Sequence, residues 1–480
     1  VNGEAAGPVA READHAGFLA VVSGELPSGV LDLDEAARSA VATDRASRLP
    51  QPPPVAVVRP RSASDVSVVL AAANRFGVPV VTRGAGTGLS GGAWALPAGI
   101  VLDMSGMDRI VEIDPAGAIA VVQPGVITAA LDEAAAAHGL AYAPDPASAA
   151  ISTIGGNIAT NAGGLRFIKY GSTRQAVLGL TVVLPSGEIV TLGGRTRKNV
   201  TGLDLCGLMV GSEGTLGVVV EATLALVPRA VDTAMLAVTC RDWSEVQRCV
   251  LAVASSGVTP SLFELMDRGA LRVRGPAALS TIGAPADPLA VLLVQTDGVA
   301  AVAELARLEE ALSTTGAWVS PPLAATDAAL MVALRRGETL PGYSDPQVGG
   351  ADEEWWLGED MAIPATRLSE YFAAADAASR ALGVGLSLVA HVGDGNLHPS
   401  LTVRRDSLDE GPAQDLLHRA ADALIRIAID LGGTLTGEHG VGVLKRPWLP
   451  LVLSPTVLEL HRGVKAAFDP NDIMNPGRAY

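Results

Sequence analysis

Histidine is scarce in this chain, seven in 480 residues, yet two histidines bracket six residues of "LVAHVGDGNLHPS" (388–400). Asp394-Gly395 between apolar runs is a two-residue hairpin signal, because both turn positions need positive φ. With that turn, Gly393 faces Asn396, Val392 faces Leu397 and His391 faces His398. Directly opposed residues have Cβ atoms about 4.5–5.5 Å apart, close enough for both rings to reach one ion or one substrate. Taken alone, the pair is equally consistent with two half-exposed histidines flanking a turn. If both are ligands a third is needed, and "GTLTGEHGVG" (433–442) offers Glu438 and His439 just after a long helical pattern. Neighbours in an extended turn cannot easily both ligate one ion, so one ligand and one base is the natural division. Two histidines and a carboxylate with open positions suit a catalytic zinc or similar ion.

A second kind of chemistry lies upstream. "TRGAGTGLSGGA" (82–93) packs five glycines into Gly84–Gly92 beside Arg83 and contains Gly86-x-Gly88-x-x-Gly91. A dinucleotide fingerprint needs a helix straight after the loop. Here "AWALPAGIVLDMS" follows, interrupted by Pro97 and Gly99 before a β run, so the Rossmann reading fails. Backbone N–H groups of a small-residue run can still cradle a diphosphate without a helix. "PDPASAAISTIGGNIATNAGG" (144–164) reads as a second small-residue loop rich in short donors. Together the loops imply a large, phosphorylated, partly apolar cofactor.

The elements that must position these groups fall into regions. Residues 1–50 form an N-terminal segment, helical near Asp34–Val41 and closed by "LPQPPP". From Val55 to about Arg229, β runs alternate with glycine turns, and a helix opens at Ser64 as N-cap and closes at Gly77. Beyond Ala230, "AMLAVTC" and "AVLLVQTDG" read as strands, with helices at Trp243–Ser255 and Ala300–Ser313, giving a separate α+β domain on an antiparallel sheet. Thr326–Trp356 reads as an irregular surface loop or lid. The hairpin comes next, then a helix from about Pro412 to Leu431; the last twelve residues, "DPNDIMNPGRAY", lack periodicity. The net charge of -16 and the lack of a basic run exclude nucleic acid as a partner. No apolar run reaches a membrane span, the start lacks the pattern of a secretory signal, and a cytoplasmic protein is expected. Cys206, Cys240 and Cys249 lack the spacing for an iron–sulfur cluster or a disulfide framework.

Four stretches, "RGAGTGLSGGA", "PDPAS...STIGGNIATNAGG", "KYGSTRQAVLGLTVVLPSGEIV" and "GSEGTLGVV", resemble the FAD-binding domain of the vanillyl-alcohol oxidase and p-cresol methylhydroxylase type. "HVGDGNLH", "GTLTGEHGVG", "EDMAIP" and "FDPNDIMNPG" resemble the C-terminal half of one branch, which includes D-lactate dehydrogenases, D-2-hydroxyglutarate dehydrogenases and the glycolate oxidase flavoprotein subunit. The resemblance runs in order through residues 50–480. It implies an α+β fold: a two-subdomain FAD-binding domain over 51–229, an α+β substrate or cap domain with an antiparallel sheet and a metal site over 230–468, and a segment 469–480 returning to the FAD domain.

The same resemblance assigns residues. Arg83, Gly84, Ala85, Gly86, Thr87, Gly88, Leu89, Ser90 and Gly91 would form the pyrophosphate loop. Pro124, Gly125, Pro144, Ser148, Thr153, Gly155, Gly156, Asn157, Ala159, Thr160 and Gly163 would line the rest of the FAD, with Glu213, Gly217 and Val218 near the adenine or isoalloxazine and Asn475 also at the cofactor. Thr87 stands where covalent members carry a histidine, so FAD should be noncovalent. His391, His398 and Glu438 would ligate a divalent metal, zinc with manganese or iron as alternatives, and His439 would be the base. Asn396 could bind substrate or hold a ligand, and Lys445 could interact with the site. Arg335 aligns with an arginine that holds the substrate carboxylate, with Arg336 as its rival; Val332 stands where relatives usually have tryptophan. Gly358 and Glu359 replace a lysine that the 2-hydroxyglutarate branch uses, which argues against a dicarboxylate.

The implied activity is a D-2-hydroxyacid dehydrogenase, D-lactate-like in substrate. A metal-bound hydroxyl is more acidic, a histidine removes its proton, and the Cα hydride passes to flavin N5. The implied partners are a small anionic 2-hydroxy acid and an electron acceptor: a quinone, a cytochrome, an electron-transfer flavoprotein or a partner subunit. A homodimer and a peripheral location at the inner membrane face also fit. Alternatives are a glycolate oxidase flavoprotein subunit, a D-2-hydroxyglutarate dehydrogenase and a nonredox transferase of the alkyl-glycerone-phosphate synthase type.

Overall fold

The computed structural model describes residues 13–46, 51–275, 278–337 and 353–480. They form two compact units. One comprises the chain up to Ala162, Ser172–Pro228 and His439–Tyr480; the other comprises Gly163–Gly171 and Arg229–Glu438. Residues 439–468, grouped with the second region by the sequence, thus fall in the first unit.

The first unit holds two sheets. In one, Ala56–Val58, Ile100–Asp103 and Val80–Arg83 run parallel, and Leu31–Asp32 adds an antiparallel edge. The helix Ala63–Phe76 follows the strand Ala56–Val58 and buries Val66, Val69, Leu70, Ala72 and Ala73. Its N-cap is Ser62 rather than Ser64. The Ser62 hydroxyl accepts from Asp65 N and donates to Asp65 Oδ1, a reciprocal pair that only a residue three places earlier can make. Gly77 closes the helix at φ 68°, as expected. The second sheet is antiparallel, in the order Ile110–Asp114, Ile119–Val122, Val218–Ala225, Val177–Val183, Ile189–Gly193. The second small-residue stretch is not wholly a loop: Ile154–Thr160 is a short helix capped by Thr153 and ended by Asn161 in the left-handed region. Its Ile154 and Ile158 are buried in the core, which outweighs the low helix propensity of Gly155 and Gly156.

The second unit is built on an eight-stranded antiparallel sheet. Its order is Trp318–Val319, Thr233–Cys240, Ala290–Asp297, Leu262–Asp267, Gly385–His391, Asn396–Arg404, Glu354–Gly358, with Met361–Ala362 pairing Asn396–Arg404 beside the last strand. The α+β class and the antiparallel sheet agree with the sequence reading. Helices Trp243–Ser255, Ala301–Ser313, Leu368–Leu382 and Glu410–Asp430 pack their apolar faces inward. The expected irregular stretch is partly regular: Ala325–Arg336 is helical, burying Met331 and Leu334, and Glu354–Gly358 is a strand. The glycines and prolines that suggested a lid, from Pro341 to Gly350, lie outside the described residues, as do the first twelve residues and Leu49-Pro50 of the proline cluster. Among the described residues, no helix is long and apolar enough to cross a membrane.

Strand Leu262–Asp267 is buried at every position and ends in Asp267, whose carboxylate accepts from Ala270 N at 2.7 Å to cap the next helix. Burial pushes the Asp267 carboxyl up to about 6, against backbone hydrogen bonds from Leu388, Ala270 and Gly269 that favour the anion. A raised carboxyl binds more protons folded than unfolded, so stability falls as pH rises from about 4 to about 6. The difference is of order 3 kcal/mol. Asn keeps the capping oxygen, so Asp267→Asn should flatten urea-denaturation stability across that window.

Candidate functional site

The hairpin forms, but with a different register. His391 lies opposite Asn396, and His398 lies opposite Val389. The loop is therefore Val392–Gly395. The His391 carbonyl accepts from both Asp394 N and Gly395 N, and only Gly395 adopts positive φ, 83°. A type I′ turn needs positive φ at both residues, whereas four-residue loops use a type I turn. Two further bonds fix the longer loop: Asn396 N to Asp394 Oδ1, and Ile363 N to the Gly395 carbonyl. His391 and His398 are thus diagonal neighbours on one face. Their ring centroids are 5.1 Å apart and nearly perpendicular.

Both imidazoles meet the Glu438 carboxylate. Glu438 Oε1 is 3.5 Å from His391 Nε2 and 3.2 Å from His398 Nε2. One ligand atom from each of His391, His398 and Glu438 lies within 4.8 Å of the other two, a grouping that could hold a metal ion. Gly163, expected among FAD-lining residues, belongs to the second unit and packs on this acid; an added Cβ there would sit 2.6 Å from Glu438 Oε2. Asn396 shares the face of the histidines, and its buried Oδ1 has no hydrogen-bond partner.

Two acids that the sequence reading does not assign support the three donors. Glu264, 1 % exposed, accepts from His391 Nδ1 at 2.7 Å and pairs with Arg335 at 2.6 Å. Asp360 is fully buried; one oxygen takes bonds from Thr436 Oγ1, Gly437 N and Glu438 N, and the other lies 3.8 Å from His398 Nδ1. Burial opposes a charge on His391, yet Glu264 and then Glu438 push it up to about 10. Burial likewise opposes the Glu438 anion, and the two histidines hold it well below the usual carboxylate range. Arg335 ends the helix Ala325–Arg336 and is buried, while Arg336 beside it is half-buried. The signal for Glu264 is an acid in the middle of the apolar run "LFELM" (262–266).

In the first unit the glycine-rich segments converge. Arg83 Nη1 donates to the Thr43 carbonyl at 2.7 Å, and Gly86 and Gly91 take positive φ. Gly84 lies against Thr153 and Gly156, where any Cβ would clash, and Gly155 lies against Pro124 in the same way. Asn157 donates to Thr128 Oγ1, and the Ala159 carbonyl accepts from Glu213 N. The Glu213 carboxylate accepts from Val441 N at 2.8 Å and Gly442 N at 2.7 Å. Ser90 Oγ donates to the carbonyls of His439 and Gly440, and the Ser90 carbonyl accepts from Val443 N and Leu444 N. Asn475 Nδ2 bridges the carbonyls of Gly92 and Glu213. The segment that carries His439 and the buried Lys445 is thereby held by two loops, those of Ser90 and Glu213, which Asn475 ties to each other. Val218 is a core residue of this unit, and Gly217 lets its strand approach the Val183 carbonyl.

Residues 228–479 match the family model described as FAD linked oxidases, C-terminal domain, and residues 54–193 match an FAD binding domain. The chain belongs to the FAD-linked oxidases. It is 38% identical over 431 residues to the glycolate oxidase subunit GlcD of Bacillus subtilis (strain 168), covering 89% of each chain. It is 35% identical over 426 residues to a D-lactate dehydrogenase of Archaeoglobus fulgidus, covering 88% of this chain and 90% of that one. The crystal structure of p-cresol methylhydroxylase with substrate bound superposes with a TM-score of 0.75 at 16% identity, covering 97% of both chains, and so shares the fold. The protein is an FAD-linked oxidoreductase of the glycolate, D-lactate and D-2-hydroxyglutarate dehydrogenase branch.

Replacing Glu213 by alanine removes the acceptor of two part-buried N–H groups. Glu213→Ala should lower stability by about 2–4 kcal/mol, read as a fall in the thermal midpoint.

Proposed function

We propose that this chain oxidises a D-2-hydroxy acid of the lactate class to the 2-oxo acid, using noncovalent FAD and one divalent ion, zinc by donor set, with manganese or iron as alternatives. The observation that carries the reading is the convergence of His391, His398 and Glu438 within 4.8 Å of one another in an FAD-linked oxidase. When bound, the flavin accepts the electron pair and the ion acidifies the substrate hydroxyl. His439 takes the hydroxyl proton. The unsatisfied Asn396 Oδ1 accepts a hydrogen bond from the substrate, and Arg336 receives its carboxylate in place of Arg335, whose guanidinium pairs with Glu264, with Lys445 adding positive charge. Three further acids, the buried Glu264 and Asp360 and the half-buried Asp394, stand around the donors, a poor setting for a second substrate carboxylate. The likeness to a glycolate oxidase subunit favours a second reading, in which glycolate is the substrate and electrons leave through a partner subunit.

Anaerobic mixing with a panel of D- and L-2-hydroxy acids, with and without chelator, separates these readings. D-Lactate should bleach the flavin, L-lactate should not, and chelator should stop the reaction; no bleaching by any 2-hydroxy acid with metal restored would sink the proposal. His391→Ala and His398→Ala should each lose metal and slow flavin reduction by at least about 100-fold while the protein stays yellow.

A further inference from the structure

We propose that Glu264 and Arg335 are a positioning pair for the metal centre: Glu264 fixes the ring of His391, and Arg335 acts through Glu264. This rests on the metal reading above. Glu264 sits directly across from His391 in the sheet, in a strand where all six residues are buried. An isolated carboxylate there would be costly, so its two oxygens need partners. One accepts from His391 Nδ1 at 2.7 Å, and the other pairs with the Arg335 guanidinium at 2.6 Å. With Nδ1 committed to Glu264, the remaining nitrogen, Nε2, is turned to Glu438. A carboxylate behind a ligating histidine orients the ring and raises its basicity.

The two histidines are not held alike. His398 Nδ1 faces Asp360 at 3.8 Å, too long for a hydrogen bond, and Asp360 instead fastens the backbone of the third donor through Gly437 N and Glu438 N. Each acid therefore serves a different ligand: Glu264 sets His391, and Asp360 sets Glu438. Arg335, read from the sequence as a substrate anchor, supplies the charge that lets Glu264 stay buried opposite His391.

The test uses the full-length flavoprotein, stripped with chelator and titrated with zinc against a chromogenic competitor. Wild type should bind one zinc. Glu264→Gln should bind it about 10–100-fold more weakly with unchanged flavin absorbance, and excess zinc should restore the rate of flavin reduction. A purely structural role would not be rescued by zinc. The double variant Glu264→Gln/Arg335→Met removes both buried charges and should show the same weakening, which keeps the test valid if the single variant folds poorly. Zinc affinity within about twofold of wild type in either variant overturns the positioning role alone. Absence of zinc binding by the wild-type protein overturns the metal reading and this inference together.

Discussion

His391 is enclosed between two carboxylates, with Glu264 on one ring nitrogen and Glu438 on the other, and the second unit is arranged to make that enclosure possible. The strand of Glu264 is central in the sheet, next to the strand that ends at His391. The third donor arrives after the helix Glu410–Asp430 and is tied down by Asp360, which stands just before the short strand Met361–Ala362. Ladder pairing thus brings Glu264 to the histidine hairpin, Asp360 fixes the backbone of Glu438 beside them, and their charges are tolerated because each faces an opposite charge or a donor.

The first unit solves a different problem with different residues. Small side chains let backbone approach backbone, as at Gly84 on Thr153 and Gly155 on Pro124. Glu213 is held in the left-handed region at φ 52°, an uncommon conformation for a non-glycine residue, and from there it reaches two amides of the His439 segment. Glycine is required at 442, where φ is 52° and a Cβ would collide with the Ser90 carbonyl. Loops made largely of glycine need such external clamps, because glycine supplies no side chains to stiffen them.

Much of this was legible in the residues. Amphipathic spacing marks Trp243–Ser255 and Ala301–Ser313, the first also opened by the cap Asp242, and the existence of the hairpin follows from its turn residues. Its register does not. The loop length depends on Ile363 N bonding the Gly395 carbonyl, a contact between distant strands that no local pattern encodes. Ser62 rather than Ser64 caps its helix because Asp65 completes a reciprocal pair, a choice between neighbouring serines that geometry decides. Glu264 escapes a motif reading because a single acid in an apolar run acquires meaning only once the sheet places it opposite His391. The same holds for Arg335, whose partner lies two strands and three helices earlier in the chain.

The first unit is not continuous in sequence: it needs the chain up to Ala162, Ser172–Pro228 and everything after Glu438. The Lys465 ammonium bonds the carbonyls of Thr215 and Met474, and Tyr480 bonds Thr215 through its hydroxyl. Val80, in the first sheet, bonds both Ile473 and Asn475. A fragment ending near Pro228 would therefore lack the far side of its own core, however complete its glycine loops. The modularity suggested by two domains in a row is one of sequence order alone, and the first unit becomes a physical body only once residues 439–480 have been made.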